Sequence, residues 1–282
     1  MSEPLTLMAV HAHPDDEASS GGILAAYADQ GIRVVVVTCT NGEYGDAPGG
    51  IKPGQPGHDP EAVARQRLAE LDQSVKILKV SDLETLGYHD SGMEEWDYKS
   101  SPEAFSNVPV PIVAGRIAEL ITKYRPQVLV TYDNQGAYQH PDHVHASLAA
   151  QAAAKETGGI IAKVYLSTMK GSNFRKIWDA LRAAGEEVPN WDNDSEEAKE
   201  RWQRGLESEA RITTTVDIRP VLARKRAALF AHGSQINDSW FSKIPPEIAE
   251  QAFGYEYFIR KTDTTGAPLP ETDLFAGLRG GA

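Results

Sequence analysis

Five short apolar runs rich in β-branched residues alternate with longer helix-patterned segments, and this alternation restricts the possible folds more than any other feature of the chain. The runs predicted as strands are Leu5–Val10, Arg33–Thr38, Asp82–Leu86, Gln127–Thr131 and Ala162–Ser167. The segments predicted as helices are Glu17–Gln30, Pro60–Leu78, Pro109–Tyr124, Asp142–Lys155 and, later, Arg219–His232. Several strands are almost continuously apolar, as expected in a parallel sheet covered on both faces. We therefore predict an open, mostly parallel α/β sheet with helices on both faces.

This Rossmann-like pattern loosens after about residue 170. We predict a single domain over residues 1–282, in which about 1–170 form the core and 171–282 complete the site and the tail. The acidic stretch Glu186–Glu209 predicts a solvated helix and loop. The Gly- and Pro-rich segment Asn41–Pro60 is long for a simple connection. It is therefore either a lid or binding loop, or a flexible insertion.

The charge balance limits the possible partners. The chain has 28 Lys and Arg against 40 Asp and Glu, a formal net charge of -12, which argues against a surface for nucleic-acid backbones. Met1–Val10 lacks a basic segment followed by a long apolar run, and no stretch approaches the roughly 18 apolar residues of a membrane span. We expect a cytoplasmic protein with a small-molecule partner, and no nucleic-acid or membrane partner. The single cysteine, Cys39, is expected to be a buried structural thiol.

Five of the eight histidines fall in two short segments, residues 11–17 and 140–145. The first segment directly follows the first predicted strand, and the second follows the strand Gln127–Thr131 after a turn. In open α/β sheets the ligand crevice lies outside the carboxyl ends of the strands. The two segments are therefore predicted to meet at one edge of the sheet.

The spacing within these segments suits a metal site. Pro14 is expected at the first position of a helix, which places His13 at the cap and Asp16 one turn later. His140 and His143 are three residues apart near another helix start, and His143 is favoured as the third ligand. Two imidazoles and one carboxylate leave positions open for water and substrate, as in catalytic zinc sites. We predict one Zn²⁺ per chain, although the same ligand set also binds Fe²⁺.

The remaining side chains of the two segments favour hydrolysis. Asp15 is expected to point away from the metal and to act as a general base. His140, with Tyr138 nearby, can supply donors to a developing oxyanion. Asp142 is either a residue that orients one of the imidazoles or a helix N-terminal carboxylate. Glu43 follows another predicted strand into the same crevice, where its carboxylate can accept hydrogen bonds from substrate hydroxyls.

The motifs His-Pro-Asp-Asp-Glu at residues 13–17 and His-Pro-Asp-His at residues 140–143 resemble those of the LmbE-like (PIG-L) N-acetylglucosaminyl deacetylase family. The resemblance extends over most of the chain and is strongest to the mycothiol enzymes of that family. It implies an LmbE-like fold and zinc on His13, Asp16 and His143, with Asp15 as the base.

The same resemblance implies roles for four further residues. His140 would stabilise charge, and a mobile Tyr138 would lie at the substrate carbonyl. Arg67 and Asp90 would contact sugar or inositol hydroxyls, although a salt bridge and a turn-forming carboxylate are the simpler alternatives for these two residues.

The substrate is predicted less sharply than the reaction. We expect a zinc-dependent amidase acting on an N-acylglucosaminide, with mycothiol S-conjugate amidase favoured over the N-acetylglucosaminyl-inositol deacetylase of mycothiol biosynthesis. A related enzyme of a natural-product pathway stays open. The chain has Ser20 and Gln139 where the conjugate amidases have Lys and Pro. From other classes, a non-haem iron oxygenase is the alternative suggested by the ligand set, and a non-catalytic sugar-binding module is disfavoured by the intact Asp15.

Overall fold

A seven-stranded sheet forms the centre of the computed structural model, which describes residues 4–93, 96–135, 138–186, 195–237 and 240–279. The strands are β1 Thr6–His11, β2 Arg33–Thr40, β3 Asp82–Tyr88, β4 Val128–Tyr132, β5 Lys163–Thr168, β6 Thr214–Asp217 and β7 Tyr255–Asp263. Their order across the sheet is β3-β2-β1-β4-β5-β7-β6. Strands β1 to β5 pair in parallel, whereas β7 is antiparallel to both β5 and β6. The predicted mostly parallel α/β sheet is confirmed.

Helices cover both faces of this sheet. They are α1 Gly21–Asp29, α2 Pro60–Leu78, α3 Val110–Tyr124, α4 Pro141–Glu156, α5 Gly171–Ala183, α6 Glu196–Ala210, α7 Leu222–Ala231, α8 Gly233–Ile236 and α9 Pro246–Phe253. Helices α3 and α4 pack on one face, and α1, α2 and α7 pack on the other. Within the described residues, no helix combines the length and the apolarity needed to cross a membrane.

The alternation of side chains along β1 explains why both faces are covered. Met8 and Val10 belong to the apolar cluster on the α3 and α4 side, whereas Leu7 and Ala9 belong to the cluster on the α1 side. All six residues of β1 are buried. Because successive side chains of a strand point to opposite faces, a continuously apolar strand requires a layer of helices on each side. Cys39 of β2 is buried in the first of these clusters, as predicted.

The start of the first helix differs from the prediction. The segment after β1 makes a turn and a short 3₁₀ helix, Asp16–Ser20, before α1 begins at Gly21. The backbone N–H groups of Gly22 and Ile23 donate hydrogen bonds of 2.8 and 2.9 Å to the Glu256 carboxylate on β7. A carboxylate at a helix N-terminus satisfies free donors and complements the helix dipole. Pro14 therefore lies in the turn and does not open a helix.

Residues after 170 extend the sheet and add a separate helical cluster. Strands β6 and β7 enlarge the sheet beyond β5, and α5 and α9 bury a small apolar cluster that includes Trp178 and Ile244. Of the predicted helix and loop Glu186–Glu209, the part 187–194 lies outside the described residues, and α6 forms most of the remainder. The predicted helix Arg219–His232 is a 3₁₀ turn followed by α7.

A buried ion pair joins the core to the C-terminal segment. The Lys163 ammonium on β5 pairs with the Glu271 carboxylate, and neither side chain is more than 1% exposed. Glu271 also accepts hydrogen bonds from the Tyr165 hydroxyl at 2.7 Å and the Thr214 hydroxyl at 3.1 Å. Lys163 donates a further hydrogen bond to the Ala276 carbonyl. The segment after β7 is therefore held against the sheet by polar contacts inside the protein.

Removing one partner of this pair is expected to destabilise the fold strongly. Glu271→Ala leaves the Lys163 ammonium buried and unpaired, which costs about 3–5 kcal/mol of unfolding free energy. Asp72→Ala is the matched control, because Asp72 pairs with Lys76 on the exposed surface of α2, where such pairs contribute about 1 kcal/mol or less. Urea unfolding at neutral pH measures both variants. Equal losses in the two variants would contradict this account of the buried pair.

Candidate active site

The two histidine segments meet because β1 and β4 are parallel neighbours. The loop after β1 carries residues 12–16, and the loop after β4 leads to His140 at the start of α4. Strands β2 and β3 lie on one side of this pair and β5 on the other, so the direction of the strand order reverses here. Ligand crevices of open α/β sheets form at such a point. The structure thus brings residues 13–16 and 140–143 together.

Three side chains, those of His13, Asp16 and His143, bring their donor atoms together in a compact triangle. His13 Nδ1 lies 3.3 Å from His143 Nε2 and 3.3 Å from Asp16 Oδ2. His143 Nε2 lies 3.2 Å from Asp16 Oδ1. Donors bound to a tetrahedral zinc ion at 2.0–2.1 Å are about 3.3 Å apart. The triangle therefore has the size that a zinc ion requires, and a nitrogen of His140 lies within 4.8 Å of a nitrogen of His13 and of His143.

The opposite edge of the His13 ring faces two buried carboxylates. His13 Nε2 lies 3.1 Å from Asp142 Oδ2 and 3.5 Å from Asp90 Oδ1. Because a carboxylate accepts hydrogen bonds, this pairing favours the tautomer with its proton on Nε2 and its lone pair on Nδ1, facing the triangle. Carboxylates commonly orient metal-binding imidazoles in this way. Asp142 also accepts a hydrogen bond of 2.9 Å from the Ser91 backbone N–H.

The electrostatics of the triangle favour a cation. Burial lowers the pKa of His13, but Asp90, Asp142 and Asp16 outweigh burial and raise this pKa well above its usual value. Burial raises the pKa of Asp16, but His143 and His13 more than offset burial and hold this pKa well below its usual range. A pocket that stabilises both the protonated imidazole and the ionised carboxylate attracts positive charge. The donor set therefore fits a divalent metal ion in both size and charge.

Tyr132 is a site residue that the analysis of single motifs did not identify. Its hydroxyl donates a hydrogen bond of 2.7 Å to Asp16 Oδ2 and accepts one of 2.6 Å from the Ala12 backbone N–H. Its ring stacks on His143, with centroids 4.2 Å apart and an interplanar angle of 14°. Tyr132 is the last residue of β4, so its place at the carboxyl end of a central strand was the available signal.

Asp15 points away from the donor triangle because the backbone turns at this residue. Its φ of 117° lies in the left-handed region, which residues other than glycine rarely adopt. Its carboxylate accepts a hydrogen bond of 2.9 Å from Arg67 Nη2. Burial raises the pKa of Asp15, and the Arg67 guanidinium offsets part of that rise. Asp15 is therefore a partly buried carboxylate beside the triangle that is not one of its three donors.

His140 and Tyr138 lie on the other side of the triangle. The Asp142 backbone N–H donates to His140 Nδ1 at 3.2 Å, so the His140 proton resides on Nε2. Burial, together with the neighbouring His13 and His143, lowers the pKa of His140 to about 3. The ring is therefore neutral at physiological pH and can donate through Nε2. The Tyr138 ring is 48% exposed and packs edge-on against His143, with centroids 5.3 Å apart.

The residues predicted to contact substrate hydroxyls already have protein partners. Arg67 is buried and donates hydrogen bonds of 2.7 Å to the carbonyls of Pro14 and Gly42, besides its bond to Asp15. Glu43 is buried and pairs with His89 Nδ1 at 2.6 Å. Glu43 Oε2 is buried without a hydrogen-bond partner among the described residues. Contacts of these residues with a substrate stay predictions.

The long segment Asn41–Pro60 is tied to the rest of the protein. The Asp46 backbone N–H donates to the Gln235 side chain at 3.1 Å, and that side chain donates back to the Asp46 carbonyl at 3.0 Å. His58 Nε2 lies 2.9 Å from the Gly45 carbonyl. These contacts argue against a flexible insertion, and a role of this loop in binding stays a prediction.

Comparison with known proteins finds a matching family model and similar relatives. The model of the PIG-L family, described as GlcNAc-PI de-N-acetylase, matches residues 8–154. A 1D-myo-inositol 2-acetamido-2-deoxy-alpha-D-glucopyranoside deacetylase from Acidothermus cellulolyticus is 37% identical, over 97% of this chain and 95% of the relative. A mycothiol S-conjugate amidase from Streptomyces coelicolor is 34% identical, over 100% of both chains.

The fold is also shared with a solved structure, the N,N'-diacetylchitobiose deacetylase from Pyrococcus horikoshii. The TM-score is 0.60 at 17% sequence identity, over 92% of this chain and 84% of that one. At this level of identity the likeness concerns the fold alone. The family model and the two relatives show that the chain belongs to the PIG-L (LmbE-like) family of metal-dependent deacetylases and amidases.

Proposed function

We propose that this protein is a zinc-dependent deacetylase that hydrolyses the N-acetyl amide of a glucosaminyl-inositol. The observation that carries the proposal is the division between neighbouring carboxylates. Asp16 lies in a triangle of three side chains, whereas Asp15 lies beside that triangle and is held by Arg67. Metal-assisted amide hydrolysis uses both a metal site and a separate group, such as a carboxylate, that can take up and return a proton.

His13, Asp16 and His143 would hold the metal. When bound, zinc supplies Lewis-acid polarisation of the amide carbonyl and lowers the pKa of water at the site. Asp142 and Asp90 keep the His13 lone pair directed at the triangle, and Tyr132 holds Asp16 through a hydrogen bond. The same donor set also accepts Fe²⁺, which stays an alternative ion for the same hydrolysis.

Asp15 would act as the general base. Its raised pKa makes it a better proton acceptor than an ordinary surface carboxylate, while the Arg67 guanidinium offsets part of the effect of burial and favours the ionised form. After C–N cleavage the same carboxyl group returns the proton to the departing amine. This role distinguishes a hydrolase from a non-haem iron oxygenase, which needs no such base for water.

His140 and Tyr138 would stabilise the oxyanion that develops on the amide oxygen. His140 is neutral and carries its proton on Nε2, so this N–H can donate a hydrogen bond to the oxyanion. Tyr138 has a hydroxyl donor on a partly exposed ring, which leaves room for this side chain to approach a bound substrate. Preorganised donors of this kind contribute roughly 3–4 kcal/mol each to transition-state stabilisation.

The polar side of the crevice suits a polyhydroxylated ring. Asp90 lies beside His13, Arg67 bonds Asp15, and Glu43 Oε2 lacks a protein partner among the described residues. The 37% identity to a glucosaminyl-inositol deacetylase supports this substrate over a mycothiol conjugate. Ser20 and Gln139, which depart from the conjugate amidase pattern, support it too. The sequence alone favoured mycothiol S-conjugate amidase. This activity is now the second candidate, supported by the 34% identical relative.

Metal content tests the donor triangle. We expect one zinc per chain, and we expect His13→Ala and His143→Ala to lose both the metal and amide hydrolysis. His58→Ala is the matched control, since His58 bonds a backbone carbonyl in the loop after β2 and is outside the triangle. Elemental analysis of the purified variants measures zinc and iron. Full hydrolysis by a rigorously metal-free preparation would disprove the metal-dependent mechanism.

Substitution of the base should separate chemistry from metal binding. Asp15→Ala is expected to keep its zinc and to lose about 10²–10⁴-fold in kcat, the usual contribution of general acid-base catalysis. Asp72→Ala, which changes an exposed carboxylate on α2, should keep wild-type kcat. Steady-state kinetics and zinc analysis are measured on the same samples. Parallel loss of zinc and activity in Asp15→Ala would instead make Asp15 a metal ligand.

A matched substrate series tests specificity. We expect N-acetylglucosaminyl-inositol to exceed methyl N-acetylglucosaminide in kcat/KM by more than about tenfold, because a site built to bond hydroxyls rejects analogues that lack them. A mycothiol S-conjugate should react more slowly than the inositol substrate, and varying its S-substituent should change kcat/KM by about tenfold or less. Mass spectrometry of the products follows each reaction. Faster cleavage of the conjugate would favour the amidase function.

A further inference from the structure

Glu17 is a buried carboxylate next to the candidate active site, and the proposed mechanism gives it no role. Its Oε2 accepts a hydrogen bond of 3.0 Å from the backbone N–H of Asp15. Its Oε1 accepts hydrogen bonds from His232 Nε2 at 2.7 Å and from the Ser74 hydroxyl. Glu17, Ser74 and His232 are all 0% exposed. The carboxylate therefore has three protein donors and no contact with solvent.

The bond from Glu17 to Asp15 is made where the backbone is strained. A left-handed conformation at a residue other than glycine costs about 1–3 kcal/mol and persists only where the surroundings impose it. Because of this conformation, the Asp15 carboxylate points toward Arg67, whereas the Asp16 carboxylate lies in the donor triangle. The Glu17 oxygen holds the amide group at the centre of this turn.

His232 reaches Glu17 from a distant part of the chain. It lies 215 residues away in sequence, at the C-terminal end of α7, which packs against α1 and α2. Its Nδ1 is buried without a hydrogen-bond partner among the described residues. Buried ion pairs are weak contributors to stability, because apolar replacements are often neutral or stabilising. The unpaired His232 Nδ1 lowers any gain in stability further. Stability alone is therefore a poor explanation for the pairing of Glu17 with His232.

We propose that Glu17 is a positioning residue that holds Asp15 in its productive conformation, and that His232 fixes Glu17. The inference rests on the proposed function, because Asp15 is assigned there as the base. Glu17 acts through the Asp15 backbone rather than on the substrate. Its substitution should therefore affect kcat and leave substrate binding and metal binding largely unchanged.

Paired variants at position 17 test this role. Glu17→Met removes both acceptor oxygens and is expected to lower kcat about 10- to 100-fold, since a misplacement of about 1 Å can cost about 100-fold. Its KM should stay within about twofold of wild type, with one zinc per chain retained. Glu17→Gln keeps an oxygen for the Asp15 N–H and can donate to His232 Nε2, so its kcat should stay within about threefold of wild type.

Variants at position 232 test the second half of the proposal and serve if Glu17→Met does not fold. His232→Leu removes the donor and should lower kcat in the same direction with KM unchanged, whereas His232→Gln restores an N–H donor and should recover most of the loss. The double variant Glu17→Met/His232→Leu should lose no more than Glu17→Met alone, because both changes act through one contact. Additive losses would overturn the role given to His232.

A purely structural role gives different results. In that case Glu17→Met would lower the unfolding free energy, but its folded, zinc-loaded fraction would keep the kcat of wild type, which overturns the inference. Equal losses in Glu17→Gln and Glu17→Met would also overturn it.

A crystal structure of Glu17→Met gives a readout that does not depend on activity. We expect Asp15 to leave the positive-φ region and its carboxylate to move away from Arg67, and an unchanged Asp15 would overturn the inference. If the wild-type zinc enzyme hydrolyses no glucosaminide amide, the proposed function fails, and this crystallographic comparison still decides whether Glu17 positions Asp15.

Discussion

The parallel pairing of β1 with β4 is the contact on which the rest of the site depends. Three residue pairs, from Leu7 and Val128 to Ala9 and Val130, set the two strands in one register. That register carries the loop after β1 and the start of α4 to the same height above the sheet. The Tyr132 hydroxyl then joins the two sides, because it bonds both Asp16 and the Ala12 backbone. A slip of the register would separate the donor atoms by the rise of a residue, about 3.3 Å, and dismantle the triangle.

Much of the fold and of the site could be predicted because the relevant signals are local. Continuous apolar runs identified the five parallel strands to within one or two residues, and two dense motifs identified the donors of the triangle. The start of α1 was mispredicted because Glu256, far along the chain, caps that helix. Strands β6 and β7 were missed because they are antiparallel, and their burial alternates instead of running continuously. Contacts such as that of Glu17 with His232 leave no local pattern at all.

Adjacent carboxylates in this site differ because their surroundings differ. Asp16 faces two imidazoles, which lower its pKa, whereas burial raises the pKa of Asp15 despite the neighbouring Arg67. Environments that push the pKa values of paired carboxyl groups apart allow one group to stay an anion while the other exchanges protons. Because the backbone turns at Asp15, these two adjacent residues have different surroundings.

The ion pair between Lys163 and Glu271 also bears on how the protein is made. Strands β1 to β5 are synthesised before the C-terminal segment, so the parallel part of the sheet can assemble first. At that stage Lys163 has no partner, because Glu271 lies 108 residues further along the chain. Until Glu271 emerges, the sheet holds an ammonium group without its counter-charge, which favours open and reversible forms of the nascent chain. His232 is also synthesised after His13, Asp16 and His143. The polar contacts that hold the C-terminal segment against the sheet can therefore form only after Glu271 has been synthesised.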